Sequence, residues 1–325
     1  MSVHPPKIVF LDAATYGDVS LKRFTDTWDC TVHQVTNPYE TAQRLSGYSI
    51  AVTNKVAIDK AIFNSPEALG LKLITVAATG TDIIDRVEAS LHGVKVCNVP
   101  GYATQSVAQF TMALILELST RAASYSDAVK NGQWENSPVF SLLTYPGLEL
   151  SGKKLGIIGY GSIGRAVAQM ARAFGMEVLI AARSSKTKAV IDQRIPLDEL
   201  LRQADIVSLH CPLTLETRNL INQKSLSVMK PSAFLVNTAR GALVDEPALI
   251  EALHNKRIAG AALDVISKEP PPANYPIIVA ARELDNLIVT PHTAWSAREA
   301  RERLLNEVEE NIVAFLHGRD RNRVA

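Results

Sequence analysis

The 325-residue sequence lacks an excess of charge of either sign: 34 lysines and arginines against 33 aspartates and glutamates leave a formal net charge of +1. This balance argues against a polyanionic partner such as a nucleic acid. The only cysteines, Cys30, Cys97 and Cys211, form no C-x-x-C pair, which fits a reducing compartment and argues against a structural zinc site. No apolar run reaches the ~18 residues of a membrane span, and no signal-peptide pattern opens the chain. The sequence therefore predicts a cytoplasmic protein with no metal and no membrane partner.

Short runs rich in valine, isoleucine and leucine alternate with stretches of helical periodicity, which is typical of parallel sheets covered by helices on both faces. Because eleven such runs exceed one open sheet of ordinary size, we predict two doubly wound α/β domains. The first spans residues 1–100 and is completed by a C-terminal helix over 295–325, the second spans 101–294, and a hinge lies at Pro100–Gly101. The predicted strands are Lys7–Asp12, Cys30–Val35, Ser49–Asn54, Leu73–Ala77, Val94–Val99, Leu155–Gly159, Val178–Ala182, Ile206–His210, Phe234–Thr238, Gly260–Val265 and Leu287–Thr290.

The stretch Asn131–Leu150 has no clean period, although it contains the large apolar side chains of Trp134 and Phe140. Long irregular segments with apolar content often pack on another subunit, so we predict an intersubunit arm. The alternative is a surface loop that folds on its own domain.

A glycine fingerprint, G-x-G-x-x-G, runs from Gly159 through Gly161 to Gly164, directly after an apolar strand and before a helical stretch. In this context Gly159 permits a tight turn, Gly161 lets the backbone approach a pyrophosphate, and Gly164 brings the helix close to the strand. The backbone amides of Ser162 and Ile163 then face the phosphates. The fingerprint predicts a Rossmann domain that binds a dinucleotide.

The second strand of this unit ends at Ala182, where an acidic residue would bind the adenosine 2′-hydroxyl of NAD. The sequence continues with Arg183, Ser184, Ser185 and Lys186, of which Arg183, Ser184 and Lys186 offer hydrogen-bond donors to a 2′-phosphate. We therefore predict a preference for NADP(H), with NAD(H) as the alternative cofactor.

Three later strands end in polar residues, Arg240, Asp264 and His292, on the side where open parallel sheets bind ligands. Reduction of a 2-oxo acid needs a cation for the carboxylate, which Arg240 provides through its bidentate guanidinium. It also needs a proton donor that titrates near neutral pH, a role that suits His292. Glu269, followed by three prolines, can pair with the imidazolium and orient its ring. Taken singly, each of these residues could equally be structural; for Asp264 the choice is between binding the nicotinamide or ribose and capping a strand end.

Two further loops are candidates for the same site. His210, Cys211 and Pro212 follow a strand, and we predict that they line the cofactor site without a nucleophilic role for the thiol. The backbone amides of Thr79 and Gly80 in the first domain could complete capture of the substrate carboxylate.

Together these motifs resemble the D-isomer-specific 2-hydroxyacid dehydrogenases over essentially the whole chain, and most closely the glycerate dehydrogenase and hydroxypyruvate (glyoxylate) reductase branch. The matching segments are Ala78–Asp85, Gly159–Gly164, Val207–Thr214, Asn237–Gly241, Asp264, Glu269, His292, and, for the branch, Asn98–Tyr102, Ser106–Gln109 and Pro291–Trp295.

The resemblance implies that Arg240 binds the substrate, that Glu269 supports the histidine, and that His292 is the acid/base. It also implies a homodimer through the cofactor domain, with Ala103–Leu150 in the interface. We add Thr238 and Ala239 to the predicted cofactor site and Trp295 to the substrate site. The expected function is reduction of hydroxypyruvate or glyoxylate to the D-2-hydroxy acid; the alternatives are a dinucleotide-sensing corepressor or scaffold, and a dehydrogenase for a larger 2-oxo acid.

Overall fold

The computed structural model describes residues 6–145, 147–182 and 194–325. The chain divides into two compact units, one comprising Met1–Ala103 with Ser296–Ala325 and the other Thr104–Trp295. Each unit is built on one fully parallel sheet, which confirms the predicted fold class.

The first unit contains a five-stranded sheet with the order β2-β1-β3-β4-β5. Its strands are β1 Lys7–Phe10, β2 Asp29–Val32, β3 Ile50–Thr53, β4 Leu73–Val76 and β5 Lys95–Cys97. Every residue of β3 and β4 is buried, as expected for central strands that are covered on both faces.

The second unit contains a seven-stranded sheet with the order β12-β11-β10-β9-β6-β7-β8. Its strands are β6 Lys154–Ile158, β7 Glu177–Ala181, β8 Arg194–Ile195, β9 Ile206–Leu209, β10 Phe234–Asn237, β11 Gly260–Leu263 and β12 Leu287–Val289. The eleven predicted runs all contain strands, whereas the sequence reading missed β8, which is too short to show a pattern.

Helices connect the strands in both units. The α-helices are α1 Lys22–Thr25, α2 Thr41–Leu45, α3 Lys60–Phe63, α4 Arg86–Leu91, α5 Thr104–Thr120, α6 Ala122–Lys130, α7 Ser162–Ala173, α8 Leu197–Gln203, α9 Gln223–Val228, α10 Glu246–His254, α11 Pro276–Glu283 and α12 Arg298–Leu316. Short 3-10 helices span Ala13–Tyr16, Pro38–Glu40, Pro66–Ala68 and Gly241–Leu243.

The C-terminal helix α12 packs in the first unit. Leu304, Leu305, Val308 and Ile312 form its fully buried stripe. The Asn311 side chain donates a hydrogen bond to the carbonyl of Asn98 at 2.9 Å. This stripe and hydrogen bond explain why residues 296–325 belong to the first unit although they are remote in sequence.

Both sheets have a point at which successive connections run in opposite directions. In the first sheet this switch point lies between β1 and β3, and in the second it lies between β6 and β9. Ligands of open α/β sheets bind outside the carboxyl ends of the strands at such points. The strand order therefore predicts ligand sites at the loops after β1 and β3 and at the loops after β6 and β9.

Candidate active site

The glycine loop connects β6 to α7 and is closely packed against the loop after β9. Gly159 has a φ of 98°, and a Cβ atom there would lie 2.4 Å from the backbone nitrogen of Cys211. A Cβ on Gly164 would lie 2.2 Å from the carbonyl oxygen of Gly159. Both positions therefore require glycine, the first for its backbone angle and for space, and the second for space alone.

Gly161 differs from the other two glycines of this loop. It precedes the first residue of α7, and a Cβ atom there would meet nothing within 4 Å. The open side of Gly161 lies at the N-terminus of a 12-residue helix, where the amides of Ser162 and Ile163 begin the first turn. Exposed backbone and a helix N-terminus together fit the pyrophosphate of a dinucleotide.

The loop after β9 lies beside the glycine loop at the switch point. The Nε2 atom of His210 is 2.9 Å from the Oγ atom of Ser208, and burial lowers the pKa of His210 to about 4. Burial also raises the pKa of the Cys211 thiol, so this side chain stays protonated at neutral pH. The structure thus brings the backbone of His210 and Cys211 against Gly159, and both side chains are uncharged at neutral pH. Pro212 follows directly in the chain.

Arg240 follows β10 in a turn that the buried Asn237 side chain holds. The Asn237 amide donates to the carbonyl of Arg240 at 2.9 Å and accepts from the backbone N–H of Ala239 at 3.0 Å. Thr238 is buried, and its hydroxyl oxygen lies 3.0 Å from that of Thr111 in α5. These contacts fix the backbone from which the half-buried Arg240 side chain projects.

His292 and Glu269, separated by 23 positions in the chain, are in direct contact. The Nδ1 atom of His292 lies 2.6 Å from Oε2 of Glu269, and the two side chains are 25% and 31% exposed. The other carboxylate oxygen of Glu269 accepts a hydrogen bond from the backbone N–H of Ile266 at 2.9 Å. Glu269 is thereby held by its own loop while it holds the imidazole, and Nε2 remains the ring nitrogen that can exchange a proton with a substrate.

Asp264 fixes the loop that carries His292. Its carboxylate is buried and accepts hydrogen bonds from the Thr290 hydroxyl at 2.6 Å and from the backbone N–H groups of Thr293 and Ala294, both at 2.9 Å. The backbone N–H of His292 donates to the Asp264 carbonyl at 2.8 Å. His292 has a φ of 54°, which non-glycine residues seldom adopt, so these bonds maintain a strained position. The Asp264 carboxylate therefore holds the loop that carries His292.

Glu246 supports the Glu269 loop and was missed in the sequence. Its buried carboxylate accepts a hydrogen bond from the backbone N–H of Ser267 at 2.6 Å. Burial, followed by the effect of Glu246, raises the pKa of Tyr275 to about 12. Glu246 lies 21 positions before Ser267, and its place at the start of α10 gave no signal beyond that of a helix N-terminus.

The strand order brings Arg240, Asp264 and His292 to one edge of the second sheet, because β10, β11 and β12 are neighbours. Thr79 and Gly80 follow β4 in the first unit, whereas Trp295 is the half-buried last residue of the second. Arg183 and Ser184 lie outside the described residues. Within the described ranges, no group of three or more potential ligands is arranged for a metal ion, and no helix is both long and apolar enough to cross a bilayer.

The Rossmann strand order, the glycine loop and the histidine–carboxylate pair define a dinucleotide-binding α/β enzyme. The family model of the D-isomer specific 2-hydroxyacid dehydrogenase NAD binding domain matches residues 112–294. The chain belongs to this family, which confirms the resemblance seen in the sequence.

Individual relatives match almost the whole chain. A glycerate dehydrogenase from Methylorubrum extorquens is 39% identical over 97% of this chain and 98% of its own length. A hydroxypyruvate reductase from Blautia hydrogenotrophica is 36% identical over 96% of this chain and 97% of its own. Among solved structures, an acyclic imino acid reductase in complex with NADPH and D-Arg matches with a TM-score of 0.84 and 31% identity, covering 98% of this chain and 100% of that one.

Proposed function

We propose that this protein reduces a small 2-oxo acid, hydroxypyruvate or glyoxylate, to the corresponding D-2-hydroxy acid. The observation that carries the proposal is the 2.6 Å contact between His292 Nδ1 and Glu269 Oε2 beside the strand end that bears Arg240. The names of the two relatives support the substrate class, and they favour an enzyme over a sensor, a scaffold or a dehydrogenase for larger acids.

Each side chain has one task in the proposed reaction. When bound, the nicotinamide cofactor supplies the hydride. His292 donates a proton from Nε2 to the substrate oxygen, while Glu269 stabilises the imidazolium and orients the ring. Arg240 binds the substrate carboxylate through its guanidinium. Trp295 is assigned to the binding site of the substrate.

The cofactor is assigned to the glycine loop and its surroundings. Gly159, Gly161 and Gly164 shape the backbone, and Ser162 and Ile163 offer amides to the phosphates. The other assigned residues are His210, Cys211, Pro212, Thr238, Ala239 and Asp264. For Asp264 the three hydrogen bonds already accepted by the carboxylate support a positioning role beside the cofactor.

The preference for NADP(H) is supported by the exposed Ala182, which directly follows β7 and has no carboxylate of its own to repel a 2′-phosphate. The solved acyclic imino acid reductase contains NADPH. We expect Ala182→Asp to lower kcat/KM with NADPH by roughly 10- to 100-fold through charge repulsion and to affect NADH much less. A wild-type enzyme with a higher kcat/KM for NADH would contradict the assignment.

The proposed activity is tested by measuring kcat/KM for glyoxylate, hydroxypyruvate, pyruvate and phenylpyruvate with both cofactors, following absorbance at 340 nm. We expect the highest values for hydroxypyruvate or glyoxylate with NADPH. Cofactor binding without turnover of any acid would instead support a sensor, and a preference for phenylpyruvate would support a dehydrogenase for larger acids.

We also propose a homodimer formed through the arm of residues 131–150. Its support is the exposure of four apolar side chains, which are Trp134 (51%), Val139 (60%), Phe140 (92%) and Leu143 (86%). Burial of such a patch against a second copy removes apolar surface from water. Light scattering on the wild type and on a Phe140→Ser/Leu143→Ser variant tests this: a dimer that becomes monomeric supports the arm, and a wild-type monomer contradicts it.

A reducing, cytoplasmic compartment is proposed from the cysteines. Cys30, Cys97 and Cys211 are all free thiols, and burial raises the pKa of Cys30 and of Cys97 to about 11. Thiols of this kind are inert in a reducing compartment.

A further inference from the structure

The peptide group between Ile266 and Ser267 contacts two parts of the proposed active site. Gly241, the residue after Arg240, packs directly against this peptide group, since a Cβ atom there would overlap both its carbonyl group and its nitrogen. The backbone N–H of Ile266 donates a hydrogen bond to Oε1 of Glu269 at 2.9 Å. The placement of this one peptide group therefore affects both Arg240 and Glu269.

The carboxylate of Glu246 holds the Ile266–Ser267 peptide group in place. It is buried, and its Oε1 atom accepts a hydrogen bond from the backbone N–H of Ser267 at 2.6 Å. The Tyr275 hydroxyl donates a hydrogen bond to the same carboxylate and accepts one from the Ser267 hydroxyl. Burial, followed by the effect of Glu246, raises the pKa of Tyr275 to about 12. The phenol therefore stays protonated at neutral pH and remains a donor to Glu246.

Capping of a helix does not account for the place of Glu246. It is the first residue of α10, where an acidic side chain ordinarily stabilises the N-terminus of a helix. In α10 the preceding Asp245 is the cap, because its side chain accepts a hydrogen bond from the backbone N–H of Ala248 at 3.2 Å. The Glu246 carboxylate instead binds Ser267, 21 positions further along the chain. Its hydrogen bond to the loop is therefore separate from the capping of the helix.

The contacts continue from this loop to the proposed acid/base. Glu269 Oε2 lies 2.6 Å from His292 Nδ1, while Oε1 of the same carboxylate is held by the Ile266 N–H. A shift of the Ile266–Ser267 peptide group therefore moves the carboxylate relative to the imidazole ring. Misplacement of a reacting group by about 1 Å can lower a rate about 10²-fold, so a side chain that prevents such a shift contributes to the rate.

We propose that Glu246, supported by Tyr275, is a positioning residue of the reaction. It holds the Ile266–Ser267 peptide group, and through this group it keeps the Glu269 carboxylate within hydrogen-bonding distance of His292. The inference rests on the proposed function and deepens it, because it adds a buried carboxylate that acts on the acid/base through other residues.

The test replaces Glu246 by leucine, which fills much of the same space but accepts no hydrogen bond. We expect Glu246→Leu to lower kcat for the preferred 2-oxo acid by about 10- to 100-fold, as for a misplaced reacting group. Glu246→Gln should recover kcat to within about threefold of the wild type, because its oxygen still accepts from Ser267 and its Nε2 group can donate to the Tyr275 oxygen. Tyr275→Phe removes only the hydroxyl and should lower kcat by about two- to fivefold.

Two further measurements distinguish a positioning role from a general loss of structure. The Kd of NADPH should change by less than about twofold, because the substitution removes an interaction that acts on the chemical step. The pH at which kcat/KM falls to half on the alkaline side should decrease by about 0.5 to 1 unit in Glu246→Leu, because a displaced Glu269 stabilises the imidazolium less.

NMR on the 15N-histidine-labelled protein with bound NADPH measures the protonation midpoint of the His292 ring without turnover, and His292→Gln identifies the resonance. The midpoint should shift in the same direction as the pH profile. Glu251→Leu is the matched control, because Glu251 is an exposed glutamate of the same helix. It should leave kcat, the pH profile and the NADPH Kd at their wild-type values.

The outcomes separate this role from the proposed function. A lower kcat with a shifted pH profile in Glu246→Leu, and recovery in Glu246→Gln, would support the positioning role. Wild-type kinetics in Glu246→Leu would overturn it, as would a loss of kcat that parallels a loss of NADPH binding with an unshifted pH profile. If Glu246→Leu does not fold, Tyr275→Phe decides by the same criteria. A wild type that reduces no 2-oxo acid would overturn the proposed function, and the NMR midpoints of the variants would then decide the positioning role.

Discussion

The glycine loop and the His292 loop lie at the same edge of the second sheet and are held by opposite means. The glycine loop packs closely because Gly159 and Gly164 have no side chains, and neighbouring backbone atoms occupy the space that a Cβ atom would need. His292 is held by added polar side chains, since Asp264 accepts three hydrogen bonds from its loop and Glu269 accepts one from its ring. A loop that binds phosphate through its backbone needs bare amides, whereas a loop that presents an acid/base must orient a side chain.

The largest expected effect comes from replacing His292, the side chain that the hydrogen bonds to Asp264 and Glu269 hold in place. His292→Gln should lower kcat by about 10²- to 10⁴-fold, the range for loss of a general acid. Because Asp264 still accepts its three hydrogen bonds, the free energy of unfolding should change little. Kinetics at 340 nm and urea denaturation measure the two quantities, with the exposed His254→Gln as control. Near-full activity would remove His292 from the mechanism.

Alanine substitutions at Gly159 and at Gly161 should have different effects on stability and on cofactor binding. Gly159→Ala should destabilise the fold by about 2 to 5 kcal/mol, because it combines a left-handed backbone angle with overlap against the His210–Cys211 backbone. Gly161→Ala should leave the melting temperature nearly unchanged, because the added Cβ meets no protein atom, yet weaken cofactor binding. Thermal denaturation and titration with NADPH and NADH check both variants. Equal stability losses would show that the two glycines do not differ as described.

Asp264→Asn tests the hydrogen bonds that hold the His292 loop. An asparagine must turn its Nδ2 group toward one of the three donors, so two hydrogen-bond donors then face each other. We expect a loss of about 1 to 3 kcal/mol in the free energy of unfolding. A kcat reduced by up to ~10²-fold should accompany it, because His292 is displaced. The exposed Asp285→Asn, just before β12, is the control. Wild-type kinetics and stability would contradict the positioning role.

The smallest effect concerns the contact between the glycine loop and the loop after β9. The pKa of His210 is lowered to about 4 by burial, so the unfolded chain takes up a proton near pH 6.5 and the folded chain does not. Stability from this group is therefore full above about pH 6.5 and is lost as the pH falls toward 4. By pH 5 the loss should reach roughly 2 kcal/mol. Urea denaturation at pH 7 and pH 5 measures how much the free energy of unfolding falls with pH. This fall should be smaller in His210→Gln than in the wild type or in His254→Gln. Identical falls in all three proteins would show that His210 does not cause the pH dependence.

Local patterns predicted the fold to a considerable extent. Period and composition located eleven strands, and the C-terminal helix predicted within 295–325 contains α12, because burial on a regular element repeats at fixed intervals in the sequence. The two-residue strand β8 was missed because it is shorter than any repeat. The two compact units meet at residues 103 and 295.

The sequence by itself determined the α/β class, the glycine loop and the identity of the strand-end residues, since each depends on residues within a few positions of one another. Only the tertiary structure decided that the two carboxylate oxygens of Glu269 go to different partners, that Glu246 supports the same loop, and that Asp12 holds Asn54 and Lys55. The physical reason is distance along the chain. A buried carboxylate takes whichever donors the packing brings to it, and those donors lie as many as 43 positions away with no periodic signal to mark them.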